Sequence, residues 1–488
     1  MLLQNIISIA YSVFAVPFLV SHFGKEKYGL IGIAISVNVY TQILEMGLTF
    51  ANVKLFSEYI QNRDFDKLQR FLGLSNFLYI MIGLINAIII LLIAVYSNTF
   101  FNVTDEQADT LSHLLMVLSA NAVFAWISVS FDQFLKAEEQ IDWIAKRQSV
   151  LKLFQFLILA SIIYFKLSVE FYFFCYTFLA TIILPLSILK VRKLEPEIHL
   201  KPSFDKEMLS AILPYFLSFF SFGVFQFIAG SSRSILLGNI SGPSSVAEFT
   251  VMTTVTSVVT MFTSIFTQTL LPIVSKMQIS GNHNGLMLIV DQGSKYANIL
   301  ITAMVFGIIV SCKELISFYV GSSFDGIFWW LDLWLLMLLL SHRNVMTSLV
   351  FSQQNLRPVA IMSGIAMLCS IFAYILLIPK FGVGGAVIGY FIHELIHTSF
   401  YYFYYFPRIV MINTFTMFKK NILPIWIIAF LISLFVYFIC NYLLQNRSDL
   451  IYICVKSSLF IVAYAFIIWT ITLNRSDKQY IISMIKRK

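Results

Sequence analysis

Charge is scarce in this chain: Asp, Glu, Lys and Arg together make up 12% of its 488 residues. A soluble protein carries about 25% of its residues as charges and, at this length, divides into several domains. Polar stretches are short as well. No gap between apolar runs exceeds about 21 residues, too little for a folded soluble domain. Cysteine is rare: Cys175, Cys312, Cys369, Cys440 and Cys454 all lie in apolar runs, with no Cys-x-x-Cys. That excludes a disulfide framework, and the five read as small core hydrophobes, not metal ligands. No Gly-x-x-x-x-Gly-Lys-Ser/Thr loop occurs, so ATP-driven transport has no support. The first apolar run lacks a basic leader and a small-residue cleavage site, and reads as a retained helix, not a signal peptide. It opens abruptly at Met1, which leaves open whether the true start lies upstream.

What fills the chain is hydrophobic residues, 59% of the total. They fall in spans matching a hydrocarbon core, which needs about 20 apolar residues per helix. About fourteen candidates are centred on 2–22, 29–50, 72–97, 111–135, 147–166, 169–189, 210–238, 246–272, 294–319, 327–351, 357–378, 383–406, 421–444 and 450–473. The predicted fold is an all-α polytopic membrane protein. The net charge of +8 is a topology signal and not a nucleic-acid footprint. With the N-terminus inside, about 22 Lys and Arg lie on the cytoplasmic side and about 5 on the other. The inner set includes Lys54, Arg63, Lys67 and Arg70, the loop from Lys190 to Lys206, and the tail from Arg475 to Lys488. The outer loop 98–110 holds Asp105, Glu106 and Asp109 and no cation. An even span count then places both termini in the cytoplasm.

The basic loop 191–207 divides the chain near its middle. Residues 1–190 read as a first lobe of six spans, 208–406 as a second, and 407–488 as two further spans with a basic tail. Residues 18–24 and 236–242 share a pattern: an apolar helix end, a glycine, and a short polar turn into the next helix. Repeated units of this kind build many transporters, with the substrate path between halves.

The polar residues inside the spans narrow the function. In span eight, Thr250, Thr253, Ser257, Thr260, Ser264 and Thr267 recur at alternating spacings of three and four, which puts all six on one helical face. Isolated hydroxyls would serve close packing or bond their own backbone. A stripe this long reads instead as a hydrated cavity wall suited to a sugar. Asn38, mid-span in the second helix, lines the same cavity or bonds a neighbouring helix.

Charges in hydrocarbon face a cavity or a partner. Arg233 and Arg343 lie too deep to snorkel and no acid stands near them in sequence, so they read as cavity cations. Guanidinium matches phosphate oxygens in a bidentate way. Lys152, Lys295, Lys313 and Lys456 lie nearer span ends and read as snorkelling to the headgroups. Glu45 and Asp132 are placed to pair with Lys54 or Lys136. Pro17 lacks a backbone donor and should bend the first helix, as a gate or as a packing feature.

His393-Glu394-Leu395-Ile396-His397 fits His-Glu-x-x-His on a helix. A zinc site needs a third ligand, and the aspartates that follow, Asp449 and Asp477, are in or near loops. Two readings stand for His393, Glu394 and His397: a buried cluster exchanging protons, with Glu45 as a further candidate, or a static hydrogen-bond set. The run from Phe400 to Arg408 reads as an aromatic belt at the inner interface.

Four stretches carry a family resemblance. Residues 378–390 read Ile-Pro-Lys-Phe-Gly-Val-Gly-Gly-Ala-Val-Ile-Gly-Tyr, a proline stop, a glycine turn and a helix start with Gly385-x-x-x-Gly389. Pro17 through Tyr28-Gly29, Glu45 through Leu48 with Ala51 and Lys54, and Gln268 through Pro272 complete the set. Together they resemble bacterial polysaccharide flippases of the Wzx type, in the multidrug/oligosaccharidyl-lipid/polysaccharide exporter superfamily. The resemblance implies two six-helix lobes in a V, with two extra C-terminal helices. It implies movement of undecaprenyl-diphosphate-linked oligosaccharide repeat units across the bacterial inner membrane, for O-antigen or capsule synthesis. It further implies no cofactor, drive by an H+ or Na+ gradient, a monomer among membrane lipids, and a polysaccharide polymerase and chain-length regulator as partners. Arg233 aligns where relatives carry an acid-base pair, but Ser232 precedes it here. His393-Glu394 lies outside the family pattern. The competing readings are a multidrug or small-cation exporter of the same fold, for which the first span lacks a carboxylate, and an intramembrane metalloprotease.

Overall fold

The computed structural model describes residues 2–45, 48–279, 283–343, 357–410, 413–443, 449–475 and 477–478. Every regular element among them is helical. In chain order the main helices are α1 (Leu2–Thr41), α2 (Leu48–Gln61), α3 (Phe65–Val95), α4 (Asp105–Ala137), α5 (Ile141–Tyr164), α6 (Val169–Leu194), α7 (Lys206–Ile240) and α8 (Pro243–Ile279). They continue as α9 (His283–Ile309), α10 (Cys312–Val320), α11 (Phe328–Leu338), α12 (Arg357–Phe381), α13 (Val383–Phe400), α14 (Leu423–Leu443) and α15 (Asp449–Ile467). Among the described residues nine helices are long and apolar enough to cross a bilayer, or ten if one bent pair is a single span.

The side chains say which faces meet lipid. Leu84, Ile85, Ile88 and Leu92 of α3 are exposed, as are Leu153, Phe154 and Leu157 of α5. Water-soluble monomers do not leave apolar stripes of that extent uncovered. Helix starts are fixed by side-chain caps, which satisfy backbone N–H groups that no preceding turn can reach. Asp64 accepts from the Lys67 amide, Thr104 and Gln107 form a reciprocal capping box, and Ser168 accepts from Phe171. Asp205 accepts from the amides of Glu207 and Met208 at the start of α7.

Three spans depart from a straight helix. The first two expected spans form one run, broken at Gly24 where φ is 83° and ψ 165°. Only glycine takes that backbone without strain. Pro17 lies inside helical backbone, and the described break falls at Gly24. After Thr41 the second expected span tightens into a 3-10 turn over Gln42–Glu45, and α2 begins at Leu48. The ninth expected span, 294–319, is corrected to two pieces, since α10 leaves the end of α9 at 68°. Hydropathy continues across that turn, so composition could not reveal it.

Backbone proximity divides the chain into two compact units, Met1–Thr254 with Arg357–Tyr390, and Val255–Leu356 with Phe391–Lys488. In the first unit α3 and α4 pack closely because Gly83 has no side chain; a Cβ there would lie 2.9 Å from the Val123 Cα. Phe56, Phe71, Trp126 and Phe134 fill the core beside them. The Tyr374 hydroxyl of α12 donates to the Ala229 carbonyl of α7 at 3.3 Å. Gly385 and Gly389 both sit at close approaches, the first to the Leu377 carbonyl and the second to the Tyr374 ring. In the second unit, Trp426 of α14 donates to Asn298 of α9 at 2.7 Å, and the Tyr464 hydroxyl of α15 donates to the Ile299 carbonyl at 2.9 Å.

Several charges expected to be loose are paired. Asp132 does not take Lys54 or Lys136; it accepts from both terminal nitrogens of Arg147 at 2.8 and 2.7 Å, with Ser187 alongside. Lys295 and Lys456 do not snorkel. Lys295 meets Asp477 at 2.6 Å with both side chains buried, and Lys456, 0% exposed, meets Glu314 at 2.6 Å. A lone charge in hydrocarbon costs several kcal/mol, so a partner within the bundle wins over a distant headgroup. Lys152 lies 4.9 Å over the Tyr11 ring, and Lys313 is exposed.

Candidate substrate and coupling sites

Arg233 sits on α7 in the first unit. Its guanidinium carbon lies 4.2 Å from the centre of the Tyr390 ring and 5.4 Å from that of Phe249, and its Nε donates to the Gly230 carbonyl at 3.1 Å. Aromatic faces hold the planar cation through its π surface. Its N–H groups lie in the guanidinium plane, where a phosphate is recognised. The flanking serines are engaged: Ser232 donates to the Ile228 carbonyl, and Ser234 shares a hydrogen bond with Ser36 at 2.6 Å. Asn38, in the same unit, is partly buried. Elsewhere in the first unit, a cavity of about 170 Å³ is lined by tyrosines 11, 28, 172 and 176 with Thr250 and Thr254.

Arg343 belongs to the second unit, in the 3-10 turn Leu339–Arg343 that follows α11. The expectation that no acid stands near it is corrected. Glu394 of α13 accepts from its Nη2 at 2.6 Å, and the Thr398 hydroxyl accepts from Nη1. The Tyr401 ring lies 5.9 Å from the guanidinium carbon. Residues 394, 398 and 401 follow helical spacing, so one face of α13 holds this cation. Next to it, His342 bonds the Tyr402 hydroxyl through Nε2 and the Leu339 carbonyl through Nδ1 at 2.7 Å. Beside these, a cavity of about 290 Å³ is lined by His342, Thr398, Tyr402, Phe415 and Trp426.

His393 and His397 are both buried, with ring centres 4.8 Å apart. Glu394 accepts from Arg343 at 2.6 Å. Among the described residues no three His, Cys, Asp or Glu side chains are grouped to hold a metal. The run after Phe400 continues as a wide π turn over Tyr401–Val410, with Tyr401 and Tyr405 buried and Phe403 exposed.

The hydroxyl face of α8 is described as far as Thr263; the side chains of Ser264 and Thr267 lie outside the described residues. Thr250, Thr253 and Thr260 donate to the carbonyls of Val246, Phe249 and Ser257 on their own helix. Thr253 and Thr260 are exposed, Thr250 and Ser257 are partly so, and Val251 and Val259 are fully buried. Each of these three donors is satisfied within its own helix.

Glu45 ends the 3-10 turn of span two, where Thr49 donates to its carboxylate. The aromatic partners of Arg233, and the Glu394 and Thr398 that clasp Arg343, escaped sequence reasoning. Only the latter left a trace there, since Glu394 and Thr398 are one turn apart.

The comparisons with known proteins bear on these sites. The profile of the polysaccharide biosynthesis protein family matches residues 1–278. Among curated proteins none matches the chain in sequence. Among solved structures, the lipid II flippase MurJ in an inward closed conformation superposes with a TM-score of 0.70 at 16% identity, over 97% of this chain and 100% of that one. An inward-facing MATE family multidrug resistance transporter of the MOP superfamily gives 0.60 at 14% identity, over 86% and 94%. The MATE multidrug transporter DinF-BH gives 0.58 at 14% identity, over 82% and 93%. The chain therefore has the fold shared by these transporters.

Proposed function

Because the chain belongs to the polysaccharide biosynthesis protein family, we propose that it is a flippase for undecaprenyl-diphosphate-linked oligosaccharide repeat units. It works in the bacterial inner membrane, with both termini cytoplasmic, and serves O-antigen or capsule assembly. The observation that carries this reading is Arg233, a deep cation held by two aromatic faces at 4.2 and 5.4 Å. That arrangement keeps a fixed positive charge in the membrane with edge donors for a diphosphate. The exposed threonines of α8 supply the shallow hydrogen bonds that a passing sugar needs. In the second unit, Arg343 is a further phosphate-binding cation once Glu394 yields it. The cycle is driven by an ion gradient without a cofactor, and the protein works as a monomer that delivers to a polymerase and a chain-length regulator.

The test is flipping of a lipid-diphosphate-linked saccharide by the purified full-length protein in liposomes. Arg233→Ala should abolish flipping with insertion unchanged, and Arg233→Lys should restore it in part. Full activity of Arg233→Ala removes the phosphate role. Transport of a cationic dye in place of the saccharide would instead establish the multidrug-exporter reading.

A further inference from the structure

Four cations inside the spans each hold a carboxylate: Arg147 has Asp132, Lys295 has Asp477, Arg343 has Glu394 and Lys456 has Glu314. Lys152 differs. It stands midway along the 24 residues of α5, and among the described residues no carboxylate reaches it. Its Nζ lies instead 4.9 Å over the ring of Tyr11. A charge inside a span faces a partner or a cavity, and Tyr11 connects this one to a cavity.

That cavity, of about 170 Å³ in the first unit, has Tyr11, Tyr28, Tyr172, Tyr176, Thr250 and Thr254 on its wall. No charged side chain lines it, and every polar side chain on its wall carries a hydroxyl. The Tyr11 and Tyr172 hydroxyls share one hydrogen bond at 3.3 Å. One of their two protons is spent on it, which leaves the other for a ligand. Drug-sized ligands fill about 300–1,000 Å³, so this space admits a single sugar ring and not a chain. The wall also adjoins the surroundings of Arg233. Ile35 lines the cavity, and the next residue, Ser36, bonds Ser234. Thr250 follows Phe249, whose ring the Arg233 guanidinium covers.

We infer that this cavity is a selectivity pocket for one acidic sugar of the glycan, a pyranose carrying a carboxylate. Flat tyrosine rings cover the apolar face of the pyranose, and the spare phenol proton goes to the carboxylate. Lys152, behind Tyr11, does not touch the sugar. It makes the potential of the pocket positive, and in surroundings of low dielectric that field is weakly screened. One fixed charge matches one carboxylate. The inference rests on the flippase reading only for the source of the sugar.

Binding is therefore measured without transport, by calorimetry on the purified full-length protein in detergent. The probes are two pairs, methyl glucuronide with methyl glucoside and methyl galacturonide with methyl galactoside, which differ within each pair in the group at C6. One uronide should bind about tenfold more tightly than its neutral partner, a charge interaction of ordinary size. Lys152→Met should erase that preference and leave the neutral glycoside unchanged, while Lys152→Arg should keep it. Tyr172→Phe should weaken the uronide about tenfold, one hydrogen bond to a charged group, and serves if Lys152→Met does not fold. Equal affinity within both pairs, a preference that survives Lys152→Met and Tyr172→Phe, or displacement of the uronide by inorganic phosphate at equal concentration overturns the pocket. A protein that flips saccharide without uronide preference loses this pocket and keeps the flippase reading; uronide binding without flipping does the reverse.

Discussion

Arg343, in the 3-10 turn after α11, and Glu394 of α13 face each other at 2.6 Å. A cation read from sequence as waiting for substrate is thus already occupied by an acid of the protein. Removing one member alone leaves a charge buried without its counterion, at about 3–5 kcal/mol. Arg343→Ala and Glu394→Ala should each lower protein abundance and unfolding temperature. The double variant Arg343→Met with Glu394→Gln should recover both and still fail to flip substrate. Recovered flipping in the double variant would make the pair a brace and nothing more.

The threonine face of α8 can be mapped directly. Cysteines at Thr253 and Thr260 should react with a membrane-impermeant thiol reagent in intact cells, and cysteines at Val251 and Val259 should not. The contrast follows from exposure of the first two side chains and burial of the valines. Protection of all four positions would assign the hydroxyls to helix packing.

The stacked histidines invite a coupling test that keeps their shape. His393→Gln with His397→Gln retains hydrogen-bonding capacity while removing both imidazoles, the groups able to take up and release a proton there. Reconstituted flipping by the double variant should lose its response to an imposed pH gradient, with an unfolding temperature close to that of the parent. If the response persists, His393 and His397 hold α13 in place and the gradient acts elsewhere.

At the start of α7, Asp205 caps two amides and bonds Arg70 at 2.7 Å. Arg70 first, and the cap second, hold the Asp205 carboxyl below the usual carboxylate range. A depressed acid stabilises the fold above its unfolded value and loses that contribution as pH falls through the folded one. Asp205→Ala should therefore lower stability by about 1 kcal/mol, the usual worth of a helix cap. The deficit should be constant from pH 6 to 8 and vanish only at strongly acidic pH, as followed by thermal unfolding at each pH.

What the sequence made legible was the solvent. Runs of apolar residues place the spans because each must satisfy its backbone internally, and the glycines at 385 and 389 marked a close turn before any coordinates existed. The family followed from the same stretches. Partnerships were not legible. Lys295, Lys456 and Asp132 lie near span ends, and hydropathy gives depth along a helix without saying which neighbour its face meets. Arg147 and Asp477 settle those choices through tertiary packing. The turn at residues 310–311 and the tightening at Gln42–Glu45 were hidden too, because a change of helix geometry leaves the composition of a span unchanged.

The buried Lys456 has a consequence for how the chain is made. Its α15 leaves the ribosome after α10, and it must enter lipid carrying a positive charge. The acid that compensates it, Glu314, belongs to a helix synthesised well before. Insertion of α15 is then completed by docking and not by its own greasiness. A chain truncated ahead of α15 exposes Glu314 to hydrocarbon, a defect that membrane quality control can recognise in an otherwise finished protein.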